Sequence, residues 1–144
     1  MNCDVLKLRK AAWTNDDISK ISSPTGGIFF SIWVTQVGAR EGRADYNIHA
    51  IRLRKLAGYR ITGNDFCDQF RAEFGKLRTS WPNVSTDSGC LTLMDGWFEI
   101  DIQAFARDVL KLLNQFREVA AIIDDLLKQL VKVPPRTRTH LPSI

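Results

Sequence analysis

Residues 101–133 read DIQAFARDVLKLLNQFREVAAIIDDLLKQLVKV. With Ile102 at position a of a heptad, every a is apolar (Ile102, Val109, Phe116, Ile123, Leu130) and so is every d (Phe105, Leu112, Val119, Leu126, Val133). Ala106, Leu113, Ala120 and Leu127 at position e widen the same stripe. At 1.5 Å per residue this predicts one helix with an apolar face roughly 45 Å long. Three apolar positions per heptad make the face broader than a coiled-coil seam, which favours packing on a sheet over pairing with another long helix. The chain before residue 101 is therefore read as cover for this helix.

Working outward, residues 91–94 (LTLM) and 97–100 (WFEI) flank Asp95-Gly96. Asp-Gly tolerates the positive φ of a type I′ turn, so the spacing predicts a tight hairpin, with Asp101 capping the long helix directly behind it. Lys128 and Lys132 suit the C-terminal end of that helix dipole, and Pro134-Pro135 stops it. Upstream, Phe66, Phe70 and Phe74 with Leu77 form the core face of a shorter helix capped by Thr62 or Asn64. Residues 28–37 are β-branched and aromatic on both faces and predict a central strand. Residues 38–45 read as a polar turn.

Residues 46–57 admit two readings. As a helix they gather Tyr46, Ala50, Leu53 and Ala57 on one face; as a strand they pair with 28–37 and place Arg52 and Arg54 beside Tyr46, opposite His49, Ile51 and Leu53. The strand is preferred, because sequential strands usually pair. Near the N-terminus, residues 4–9 are a strand or a helix start, and Thr14-Asn15-Asp16-Asp17 begins a short helix ended by the loop at 22–27. The expected fold is α+β: an antiparallel sheet of about four or five strands packed against one long C-terminal amphipathic helix and a second shorter helix. One domain is expected over 1–133 and a mobile basic tail over 134–144.

With 44% hydrophobic and 25% charged residues the composition is that of a globular domain able to bury a core without disulfides or metal. Cys3, Cys67 and Cys90 are odd in number and far apart, so they read as reduced thiols of a cytoplasmic protein, with Cys67 and Cys90 filling core. Nothing in the sequence is long and apolar enough to span a bilayer, and residues 1–13 lack the apolar stretch of a secretory signal. The net charge of +4 is uneven: residues 40–78 carry nine basic and five acidic groups, whereas 79–131 carry four and eight. A polyanion would meet the middle of the chain or the tail.

No catalytic, cofactor or metal motif stands out. His49 and His140 are distant and no CxxC pair exists, which argues against structural zinc. Thr25-Gly26-Gly27 and Thr62-Gly63-Asn64 lack the spacing of a phosphate loop. Glu99-Ile100-Asp101 carries an acid where a metal-dependent nuclease would place its lysine. Three functional readings remain. The first is a non-catalytic protein-interaction domain, a homodimer or a subunit of a larger complex, using Ile122, Val131 and Trp97. The second is a nucleic-acid-binding domain using Arg52, Arg54, Lys55 and Arg60 on DNA or RNA, with the tail around Arg136 and Arg138 adding phosphate contacts. The third is a small enzyme in which Asp87, Asp95 or Glu99 converges with His49. No cofactor, metal ion or membrane contact is expected in any of them.

Overall fold

A computed structural model describes residues 3–17, 19 and 26–132. Val133, the tail from 134 and most of the loop at 22–27 lie outside these residues. Four antiparallel strands follow one another in sheet order: β1 (Cys3–Leu8), β2 (Gly27–Thr35), β3 (Arg43–Ile51) and β4 (Thr92–Glu99). Three helices accompany them: α1 (Gln36–Glu41), α2 (Gly63–Phe74) and α3 (Phe105–Gln129). This is the α+β sheet-and-long-helix arrangement expected from the sequence.

The core forms where β2 meets α3. Alternation along β2 directs Ile28, Phe30 and Ile32 to one face, in line with Tyr46, Ile48 and Ala50 of β3. Phe30 stacks on Phe116 of α3 with ring centroids 4.2 Å apart, and Trp13 meets the same Phe116 ring edge-on. The Trp13 indole donates to Asp124 Oδ1 at 2.8 Å, so the single turn at Ala11–Trp13 is latched to α3. Phe66, Phe70 and Phe74 are fully buried along α2, as their spacing predicts.

The long helix is shorter than its sequence pattern. Asp101 accepts a hydrogen bond from the Gln103 amide and caps a 3₁₀ turn, Ile102–Ala104, and α3 begins only at Phe105. Ile102 is 75% exposed, so the first a position falls off the stripe, whereas Leu112, Phe116, Val119, Ile123 and Leu126 are buried. The cap sets a tighter turn, whose side-chain directions no longer follow the 3.6-residue period.

The expected hairpin at 91–100 is a single strand. Asp95 and Gly96 lie in the middle of β4, paired with Asn47 and Tyr46. Gly96 keeps an ordinary negative-φ backbone; it is small because the Tyr46 ring crosses it, and a Cβ there would stand 2.5 Å from the Tyr46 hydroxyl. The Asp95 backbone is held on its other side by reciprocal bonds with Ser85, N to O 3.0 Å and O to N 2.7 Å. Close packing, not turn chemistry, selected this Asp-Gly.

Residues 46–57 are strand only as far as Ile51. Arg52 then takes a left-handed backbone with φ 54°, and Leu53–Lys55 form a 3₁₀ turn. Arg52 and Arg54 therefore do not share a strand face with Tyr46; burial of Leu53 outweighs continuation of the strand. Of the polar turn expected at 38–45, residues 38–41 belong to α1 and 43–45 to β3; α1 is capped by Thr35 Oγ1, which accepts from the Gly38 amide, and ended by Gly42 at φ 71°. The short helix expected after Thr14 is a bend in which Thr14 Oγ1 accepts the Asp16 amide.

Candidate anion-binding recess

The turn that ends β3 also builds a site. Its backbone closes through Lys55 N to Arg52 O at 3.0 Å. Asn15 pins it from outside, donating to the Lys55 carbonyl at 2.6 Å and accepting from the Ala57 amide at 2.7 Å. With Leu53 anchored in the core, Arg52, Arg54 and Lys55 are presented around a recess of about 720 Å³. Its other walls include Asn64 at the start of α2, together with Cys90 and Leu91 ahead of β4.

The start of α2 completes an electropositive enclosure. The amides of Gly63, Asn64 and Asp65 precede the first intrahelical bond, which runs from Phe66 N to Thr62 O at 3.0 Å. Thr62 does not cap them, because its hydroxyl donates to the Asp65 carboxylate instead. A twelve-residue helix with uncapped amides directs partial positive charge into the recess. Among the described residues Arg52, Arg54 and Lys55 form no ion pair, and Asp65 is the one acid in the wall. The arrangement suits a phosphate or another oxyanion, with guanidinium forks and backbone amides as donors.

Of the four basic residues singled out in the sequence, three converge here and Arg60 does not. Its backbone donates to Leu130 O at 2.8 Å, and it lines a separate hollow with Gln129, Leu130 and Lys132 at the end of α3.

The residues expected to form a partner interface are dispersed. Ile122 is half-buried in a cleft between α2 and α3, and exposed Val131 pairs with Tyr59 beyond the end of α3. Trp97 lies on the sheet face opposite the core, under the Arg43 guanidinium at 5.8 Å. That face nevertheless has a feature of its own. Ser31 Oγ, Trp33 Nε1 and Asn47 Oδ1 are buried there without hydrogen-bond partners among the described residues, and Ser31 and Asn47 are register neighbours.

The third reading finds little support in the geometry. His49 Nδ1 contacts Thr92 Oγ1 at 3.2 Å and its ring lies 5.2 Å from Phe29; burial, foremost, holds its pKa below the usual histidine value. Among the described residues no carboxylate accepts a hydrogen bond from it. Asp95 accepts from Ser88 Oγ, Asp101 caps its turn, and Glu99 is exposed opposite Arg43.

One cluster escaped the sequence reading. Cys67 on α2 and Cys90 ahead of β4 come together, with the Asp68 carboxylate beside them; the three ligand atoms lie within 4.8 Å of one another. No local spacing reveals such a pair, since only the packing of α2 against the 89–93 segment brings the thiols into contact.

Comparison of the chain with protein-family models, curated proteins and solved structures gives no match. No helix among the described residues is long and apolar enough to cross a membrane.

Proposed function

We propose that the chain is a nucleic-acid-binding domain that grips the phosphate backbone at the recess formed by Arg52, Arg54, Lys55 and the start of α2. The observation that carries this reading is the convergence on one concavity of three cations, without an ion pair among the described residues, and a set of helix amides with no side-chain cap. Phosphate contact gives affinity without sequence choice, and counterion release makes it salt-dependent. About three phosphate contacts correspond to a log–log salt slope of roughly −2 to −3.

Fluorescence anisotropy of labelled single-stranded DNA and RNA against rising salt tests the proposal. The Arg52→Ala/Arg54→Ala double variant should bind at least roughly ten-fold more weakly, since charged hydrogen bonds contribute about 1.5–3 kcal/mol each. Arg60→Ala, outside the recess, should bind like the parent. Salt-independent or absent binding, or equal losses for both variants, would remove the reading.

A second reading, docking of a protein partner on the sheet face that carries Trp97, is favoured by the three unsatisfied atoms of Ser31, Trp33 and Asn47, because buried polar groups without partners are rare in finished structures. Light scattering separates the two. A concentration-dependent mass that returns to one subunit with Trp97→Ala supports docking of a second copy, and a constant single-subunit mass removes it.

A further inference from the structure

We propose that Cys67, Asp68 and Cys90 form a binding site for a divalent thiophilic cation of the zinc class. The proposal is independent of the nucleic-acid reading.

The donor set is the first argument. Two thiols and a carboxylate are ligands of the kind zinc takes, and their ligand atoms already lie within 4.8 Å of one another. With metal–sulfur bonds of about 2.3 Å and metal–oxygen bonds of about 2.1 Å, tetrahedral donors stand roughly 3.5–3.8 Å apart, so closure by about an ångström completes the site. Three protein ligands leave a fourth position for water. Asp68 is exposed, so the cation reaches the site from solvent on the carboxylate side.

Pre-organisation is the second argument. Arg71 sits one helical turn after Cys67 on the same face of α2. Its guanidinium donates to Gly89 O at 2.6 Å, to Thr92 O at 3.1 Å and to Leu93 O at 3.2 Å. These bonds bracket Cys90 on both sides and hold its segment against the helix before any metal arrives. Neither thiol is committed to a disulfide.

Charge is the third. Binding forms two metal–sulfur bonds and one metal–oxygen bond and releases two thiol protons to water. Two thiolates and the carboxylate then balance the dication together with the nearby Arg71, so the site, buried at Cys67 and open at Asp68, carries no net charge.

The test uses the full chain, reduced and freed of metal, titrated with cadmium or cobalt ions. Sulfur-to-metal charge-transfer absorption should rise to a plateau at one ion per chain, and excess zinc should bleach it. With zinc at about one hundred times its Kd, Tm should rise by roughly 5–10 °C. Cys90→Ser, on a half-exposed residue, should weaken binding at least about a hundred-fold, as should Asp68→Asn to a lesser degree, while both variants keep the parent's far-UV circular dichroism. Cys3→Ser should leave the titration unchanged. No charge-transfer band in the folded parent overturns the proposal. So does a band that survives Cys90→Ser and vanishes with Cys3→Ser, or capture of Cys67 and Cys90 as a disulfide that persists in reductant and takes no metal.

Discussion

Phe30→Ala is expected to lower the free energy of unfolding by about 3–5 kcal/mol, read as a lower urea midpoint at unchanged slope. Phe30 is fully buried on a central strand, and its ring lies nearly parallel to Phe116, 12° from coplanar and 4.2 Å away. Removing it opens a void between the two layers, bordered by groups that cannot collapse independently: Phe116 is also braced by Trp13, and Trp13 by Asp124. Domains of this size are stable by about 5–15 kcal/mol, so the variant should be marginal at room temperature. Phe105→Ala provides the contrast. Both residues look like core in the sequence, yet Phe105 is partly exposed at the start of α3, and its loss should cost under about 1 kcal/mol. Equal costs for the two would mean that the sheet and α3 do not meet where the structure places them.

Gly27→Ala should destabilise by about 2–6 kcal/mol. Gly27 opens β2 with φ +100°, a conformation that L residues rarely adopt, and an added Cβ would stand 2.1 Å from the Trp13 carbonyl oxygen. That atom is backbone, fixed at the turn latched to α3, so relief requires moving Trp13 out of the core. Gly42 separates conformational strain from collision. Its φ is +71°, but the nearest atom to an added Cβ is Ile100 O at an ordinary 3.5 Å, so Gly42→Ala should cost only about 1–2 kcal/mol. Thermal unfolding of both variants, compared with the parent, checks the difference. A Gly27→Ala protein as stable as Gly42→Ala would refute the close approach of β2 to Trp13.

Two errors of the sequence reading share one cause. Asp95-Gly96 carries the local chemistry of a hairpin turn, and nothing in its neighbours announces that the Tyr46 ring, fifty residues earlier, needs the missing Cβ. Likewise the alternation through Arg54 suggests a longer strand, but burying Leu53 requires the chain to turn at Arg52. In each case a distant packing demand overrode a local preference. The same override made the site. Had β3 continued to residue 57, Arg52 and Arg54 would lie along a sheet face and no recess would exist.

The sequence by itself determined the elements whose signals are periodic: the central strand, read over 28–37 and found over Gly27–Thr35 with Gln36 and Val37 passing into α1, the phenylalanine face of α2, and the apolar stripe of α3 from Val109 to Leu130, because a side chain's direction repeats every two or every 3.6 residues wherever the element goes. It also marked Arg52, Arg54 and Lys55 as a basic group. Only the tertiary structure decided that these three join the amides of α2, that Arg60 does not, and that Cys67 meets Cys90. Those relations depend on how loops close and layers stack, and residues far apart in the chain carry no spacing that records which of them will touch.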